Sequence, residues 1–277
     1  MSKVLVTGHK GYIGSRLISK LESIGCEVSG VDLKEGCDLI HTLPTQGQYD
    51  TVFHMAAMPK VEYSVKNPSY TLRHNVLGTS RILEWSVRHG VKRVVFSSSS
   101  AIYGDAGLPN SPYGLHKWMS EQECKLFSRL YNLDTVCLRY FNVYSEDQPY
   151  GGAYSTVISA WLEMIRRGMP LKIEGDGEQT RDFIHVEDVI DANIFCMKYQ
   201  KDFSGMCYDV GTGESISIND IKKIVEKHHK VQWEYHPQRR GDVRHTCANI
   251  KEFQKVGWRS KIKINYGIED AFNIERK

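Results

Sequence analysis

Short apolar runs that end in glycine or an acid, spaced by longer stretches of helical period, set the rhythm of this chain. Lys3-Val4-Leu5-Val6-Thr7 reads as a buried strand, and residues 12–24 carry their apolar positions on one face of a helix. Residues 27–31 form the next strand and end on Asp32, and residues 51–57 the one after. A helix is expected to open at Asn75 and run to about Arg88. Val94-Val95-Phe96 then leads as a strand into four serines, Ser97 to Ser100. Ser111-Pro112 is a helix start, since serine caps and proline suits the first turn. Residues 134–140 make a further strand. Strands alternating with helices in this order predict a parallel, doubly wound α/β sheet of Rossmann type.

After Asn142 the pattern changes. Residues 143–153 are rich in glycine, tyrosine and acids, and read as a crossing into a smaller α/β lobe. Residues 156–167 form a helix, Gly175-Asp176-Gly177 a tight turn, and residues 187–197 another helix. Tyr208-Asp209-Val210 reads as a strand returning to the main sheet, and Ser217 caps a helix through about Lys227. The expected division is 1–142, with 182–213 returning to it, against 143–181 and 214–277.

Composition narrows the class. The 277 residues are 41% hydrophobic and carry a net charge of +3 without a block of like charges, so neither nucleic acid nor an anionic membrane is expected as partner. The first strand begins at Lys3, which leaves no room for a signal peptide, and no apolar run is long enough to span a bilayer. Seven cysteines without a CxxC pair suggest reduced thiols, mostly in the core, of a cytoplasmic protein. His228-His229 lacks a further ligand at suitable spacing and reads as surface; no metal site is expected.

Two constellations carry chemistry. Gly8, Gly11 and Gly14 lie between the first strand and its helix, where backbone N–H groups and the helix N-terminus meet a pyrophosphate. Asp32 stands 24 residues after Gly8, where it would meet ribose hydroxyls. Asp32 repels a 2′-phosphate and favours NAD, whereas Lys10 and Lys34 pull toward NADP; the balance favours NAD. Asp38 is placed to meet the adenine or to serve as a turn aspartate, and the small residues of Met55-Ala56-Ala57 let a cofactor lie against the strand end. His54 reads as a packed histidine at that same strand end. The second constellation is Tyr113 and Lys117, four apart on one helix face. A lysine beside a tyrosine lowers its pKa, and a serine from the strand end would hydrogen-bond the phenol, giving a base that works near neutral pH.

With Gly8–Gly14, the serines before Tyr103-Gly104 and Tyr113-x-x-x-Lys117, the chain resembles the extended short-chain dehydrogenase/reductases. Among them it is similar to the nucleotide-sugar epimerases, of which UDP-glucose/UDP-galactose 4-epimerase is the best-known member. His54-Met55-Ala56-Ala57, Asn75-Val76-x-Gly78-Thr79, residues 139–144, residues 175–183 and Arg239-x-Gly241-Asp242 extend the likeness over nearly the whole length. The resemblance implies Ser99, Tyr113 and Lys117 as catalytic residues. It implies that NAD meets Gly8, Gly11, Tyr12, Ile13, Gly14, Asp32, Asp38, Leu39, Met55, Ala56, Ala57, Asn75, Ser97 and Phe141 besides Tyr113 and Lys117. It assigns a nucleotide-diphosphate sugar, with UDP favoured, to Ser99, Asn142, Leu171, Arg181, Arg239 and Asp242.

The reaction so implied is epimerisation at C4 through a transient 4-keto sugar, in a homodimer. Ser100 and Ala101 stand where a 4,6-dehydratase carries an acid pair, which disfavours dehydration. An NADP-dependent reductase, a decarboxylase and a non-catalytic nucleotide-sugar binder stand as alternatives. The 32–54 segment and the loop before Tyr113 are short for the family, Ser145-Glu146 replaces its Gly-Pro, and Thr246 falls where relatives set the size of the sugar pocket.

Overall fold

The structure is a computed structural model that describes residues 1–43, 47–104, 107–149, 156–238 and 243–273. In chain order its elements are β1 (Lys3–Thr7), α1 (Tyr12–Ser23), β2 (Glu27–Val31), β3 (Thr51–His54), α2 (Val61–Lys66), α3 (Pro68–Leu72), α4 (Gly78–Arg88), β4 (Arg93–Ser99), α5 (Pro112–Tyr131) and β5 (Asp134–Tyr140). There follow β6 (Asn142–Tyr144), α6 (Val157–Arg166), β7 (Leu171–Glu174), β8 (Thr180–Arg181), β9 (Phe183–His185), α7 (Val186–Lys198) and β10 (Met206–Val210). The last are β11 (Ile216–Ser217), α8 (Ile218–His228), β12 (Trp233–His236), α9 (Lys251–Lys255) and α10 (Ile264–Asn273). Two compact units emerge, 1–139 with 190–208, and 140–189 with 209–273.

The first unit is built on a six-stranded sheet of order β10-β5-β4-β3-β1-β2. The β2–β1, β1–β3 and β3–β4 pairings are parallel. The chain leaves β1 toward β2 and then returns to its other side as β3, so the strand order reverses at β1, the place where open α/β sheets bind ligands. Leu5, Val52, Val94 and Phe96 from the strands meet Ile82, Leu83, Trp85 and Cys124 from the helices in a buried core. β3 is buried at every residue, as a strand in a sheet covered on both faces must be.

Buried Arg93 fastens the returning segment. Its guanidinium pairs with Asp134 and donates to the carbonyls of Cys196 (2.6 Å), Tyr199 (2.7 Å) and Lys201 (2.8 Å). Asp134 in turn accepts from the N–H groups of Phe203 and Ser204.

Two expectations change here, the start of a helix and the burial of the cysteines, and one is accounted for. The helix does not open at Asn75: it is under way at Pro68, which takes the first helical position, and Asn75 lies inside a π-helical turn, residues Arg73–Leu77. Between β2 and β3 the described residues form only one 3₁₀ turn, Leu33–Glu35, which accounts for the short segment. Cys124, Cys137 and Cys196 are core thiols, but Cys247 is exposed and Cys26, Cys37 and Cys207 are half-buried.

The second unit packs its own core from Tyr144, Trp161, Leu171, Ile173, Phe183, Ile221 and Phe272, among others. β7 pairs with β12 in parallel, and β6 with β9. His228 and His229 are not surface groups: they reach Glu269 (3.4 Å) and the Phe272 carbonyl (2.7 Å), and so tie α8 to α10.

Candidate active site

The glycine loop closes on itself. Gly8 takes φ +71°, and a Cβ there would sit 2.7 Å from the Ala56 nitrogen, so only glycine lets the loop lie on the end of β3. A Cβ on Gly14 would fall 2.3 Å from the Gly8 carbonyl oxygen, which brings the first turn of α1 against the loop. Gly11 caps α1 without a side-chain hydrogen bond, and no acid stands in the first turn. The N–H groups of a first helical turn have no partner within the helix, and together with the positive helix end they suit an anion. Tyr12 and Ile13 open α1, with Ile13 buried and Arg16 stacked 4.3 Å over the Tyr12 ring. These features fit a dinucleotide pyrophosphate.

Asp32, only 8% exposed, accepts from the backbone N–H of Lys10 (2.9 Å) and of Lys34 (2.9 Å), one on each carboxylate oxygen. A carboxylate has lone pairs to spare for ribose hydroxyls. Asp38 accepts from the Ile40 N–H (3.0 Å) as a turn aspartate, with His74 3.8 Å away. The Leu39 carbonyl accepts from Arg81 (3.0 Å). Met55 and Ala56 hang from β1 through the Thr7 carbonyl and hydroxyl, and half-buried Ala57 follows. The Asn75 side chain clamps the Met58 backbone from both sides, accepting at 2.7 Å and donating at 3.1 Å, so it shapes the loop after β3.

His54 is fully buried between Thr7 (2.7 Å, Nδ1) and Thr79 (3.0 Å, Nε2). Thr79 donates to the Asn75 carbonyl, so it accepts from Nε2–H and leaves Nδ1 to accept from Thr7. Burial, with the nearby Lys117 charge, pushes the imidazole down to about 3 from 6.5. Between those values the unfolded chain binds a proton that the folded one refuses. Stability therefore drops as pH falls through this window, by up to about 1.4 kcal/mol per unit. Denaturant midpoints should fall more steeply from pH 6.5 to about 4.5 in the wild type than in His54→Gln. Equal slopes would place the acid sensitivity elsewhere.

The centre of the site is where β4 runs into α5. Ser99 caps the 3₁₀ turn Ser100–Ile102, accepting from the Ala101 N–H, and its hydroxyl also hydrogen-bonds Tyr113. Ser111 caps α5. A Cβ on Gly114 would lie 2.3 Å from the Ala101 carbonyl oxygen, so this glycine permits the approach that joins Ser99 to Tyr113. The Tyr113 N–H donates to buried Ser64 (3.0 Å). Lys117, 3% exposed, donates to the Ser97 carbonyl (2.7 Å) and lies 4.8 Å over the Phe96 ring and 6.0 Å from the Tyr113 ring centre. The Ser97 hydroxyl reaches the Met55 sulfur at 2.6 Å.

The expected depression of the Tyr113 pKa is not found in the protein alone. Burial pushes the phenol up to about 12, opposed by the Ser99 hydrogen bond, while burial takes Lys117 down to about 8. Lys117 gives one of its N–H donors to Ser97 and lies 6.0 Å from the Tyr113 ring centre, and desolvation outweighs its attraction for a phenolate.

Sequence reasoning missed Glu121, Ser64 and Gly114. Glu121 lies one further turn along the Tyr113–Lys117 stripe, fully buried. It accepts from Ser98 (2.6 Å) and takes a bidentate pair from Arg139 (2.8 and 2.7 Å), which also donates to the Tyr103 hydroxyl (2.8 Å). The i, i+4, i+8 polar spacing was the available signal.

In the second unit, Asn142 donates from its amide to the Asp182 carbonyl (2.7 Å), and Phe141 is buried with its N–H on Val210. Leu171 is a core side chain whose N–H is spent on Gln232, so its side chain is not available to a ligand. Arg181 lies on β8 with its guanidinium on the carbonyls of Thr180 (2.9 Å) and Arg244 (3.3 Å). Buried Asp182 beside it accepts from Thr212, Gly213 and Ala248. Arg239 and Asp242 lie outside the described residues.

The model of the NAD dependent epimerase/dehydratase family matches residues 4–211. A putative UDP-glucose 4-epimerase of Methanocaldococcus jannaschii is 32% identical over an alignment of 309 residues, covering 98% of this chain and 97% of that one. UDP-N-acetylglucosamine 4-epimerase from Methanobrevibacter ruminantium superposes with a TM-score of 0.90 at 29% identity, over 100% of this chain and 99% of that one. UDP-glucuronic acid 4-epimerase from Bacillus cereus, solved with UDP-glucuronic acid and NAD, superposes with a TM-score of 0.88 at 26% identity, over 99% of each chain. Family match, fold and the geometry of Ser99, Tyr113 and Lys117 agree, and this chain belongs to the NAD dependent epimerase/dehydratase family.

Proposed function

We propose that the protein is an NAD-dependent epimerase acting at C4 of a nucleotide-diphosphate sugar, a UDP-hexose or its N-acetyl form being favoured. The carrying observation is the buried contact of Ser99 with Tyr113 on the helix that also holds Lys117. Tyr113 is the group that takes the proton from the sugar 4-hydroxyl. Ser99 bridges the phenol and the sugar oxygen, and Lys117 holds the nicotinamide ribose. When bound, NAD supplies a hydride-accepting carbon and a positive charge that favours the phenolate. The residues that would hold it are the Gly8–Gly14 loop, Asp32 and the strand ends at Met55 and Ser97.

A 4-keto sugar that turns over in the site and is reduced on its other face returns the cofactor unchanged. Ser100 and Ala101 in the turn after Ser99 offer no acid pair at C5 and C6, which speaks for epimerisation over dehydration. The second unit is the substrate-binding lobe on this reading, and Asn142 and Arg181 bind the nucleotide sugar, the role the sequence also assigns to Arg239 and Asp242.

A homodimer is the assembly we favour. Leu72 and Leu77, together with Leu115, Trp118, Leu126 and Leu130 of α5, are each at least 40% exposed, an apolar set that a second copy would cover. No helix among the described residues is long and apolar enough to cross a membrane, and the cytoplasm remains the proposed location.

The test is incubation of the purified protein with UDP-glucose, UDP-galactose and their N-acetyl forms, with and without added NAD. Interconversion at C4 without net NADH formation is expected. NADPH consumption by a keto sugar, with no interconversion, would replace this reading by the reductase.

A further inference from the structure

Which dinucleotide the loop accepts depends on charges that oppose one another in the sequence: Asp32 repels a 2′-phosphate, and Lys10 and Lys34 attract one. The fold resolves this with a residue that neither side of that balance included. Lys10 gives its N–H to Asp32 and its ammonium to Glu35 (3.0 Å). Lys34 gives its N–H to the other Asp32 oxygen and its ammonium to the Lys10 carbonyl (2.9 Å). The second Glu35 oxygen lies 3.3 Å from His9, whose ring packs so closely on β2 that a Cβ at Gly30 would meet it at 2.5 Å. Glu35 itself is held by the 3₁₀ turn after Asp32, its N–H on the Asp32 carbonyl (3.1 Å), and Gly36 at φ +82° ends that turn.

We propose that Glu35 is a specificity-determining residue that makes this site select NAD over NADP, by occupying Lys10, the cation that would otherwise receive a 2′-phosphate. The proposal rests on the dinucleotide reading above. Two lysines at the ribose end are balanced by two carboxylates, so the local field is neutral where an NADP site is cationic. A 2′-phosphate carries close to two negative charges at neutral pH. It would have to displace Glu35 from Lys10 and then sit beside two carboxylates. The Glu35–Lys10 pair is about half exposed on both sides, so it adds little to folding, and Glu35→Gln is expected to fold normally. What changes is the charge: Lys10 and His9 lose their acid and the site becomes net positive.

The test is equilibrium titration of the wild type, Glu35→Gln and Glu35→Gln/Lys10→Ala with NAD and with NADP, at low salt and at about 0.5 M. The expected result is that Glu35→Gln shifts the NADP-to-NAD affinity ratio by roughly tenfold toward NADP. That gain shrinks in high salt and vanishes in the double variant. An unchanged ratio, or a gain that survives loss of Lys10, overturns the role of Glu35 and leaves the cofactor reading intact. A wild type that binds NADP as tightly as NAD also overturns it. A wild type that binds neither overturns the cofactor reading, and this inference with it.

Discussion

Tyr113→Phe is expected to lower kcat by about 10³-fold, within the range that a positioned proton-transfer group contributes, while leaving the fold and dinucleotide binding in place. The ring is 7% exposed and packs at the start of α5, and phenylalanine fills the same volume. Only the hydroxyl is lost, and with it the hydrogen bond to Ser99, which keeps the Ala101 N–H as a partner. Because Ser99 keeps that partner, the loss is limited to the net worth of one hydrogen bond, about 1 kcal/mol. Steady-state turnover and thermal unfolding on the same sample separate the two effects. Activity within tenfold of wild type would show that another group removes the proton.

The largest stability effect is expected at Glu121. Glu121→Ala removes the acceptor of a buried bidentate pair and takes the carboxylate away from the partly enclosed Arg139 guanidinium, while its hydrogen bond to the Tyr103 hydroxyl stays. Burial works against the charge on Arg139 and the Glu121 pair outweighs it. Breaking such a pair from one side costs about 3–5 kcal/mol. In a chain of this size that lowers the unfolding midpoint by roughly 10 °C. Catalysis should fall as well, because Glu121 anchors the face of α5 that presents Tyr113 and Lys117, and Ser98 loses its acceptor beside Ser99. Pairing the change with Arg139→Met removes the orphaned charge and should recover a large part of the stability. A midpoint shift of less than about 2 °C in the single variant would mean that the pair contributes little to this fold.

Much of the first unit was legible before any coordinates. β1, β2 and β5 coincide with the expected strands, and β4 begins one residue early and runs three residues into the serines, because apolar runs and glycine turns are local signals. Ser111-Pro112 starts α5 as expected, since a cap and a first-turn proline act over a single turn. The glycine loop, Asp32 and the Tyr113–Lys117 pair follow from spacing in the same way. The second unit was harder to read: its strands are two to four residues long and leave little periodicity to detect.

The sequence by itself determined the main strands of the first unit and their order, and which residues stand at the strand ends and on one helix face. Those are consequences of backbone geometry and side-chain period, which act over a few residues. The tertiary structure alone decided what each polar group does there. Tyr113 is shifted up rather than down because its burial is created by elements far away in sequence. Lys10 is taken by Glu35, 25 residues on, and Arg139 by Glu121, 18 residues back. Asn75 serves a loop 17 residues earlier. Charge and desolvation depend on distance in space, and the closing of the chain is what sets those distances.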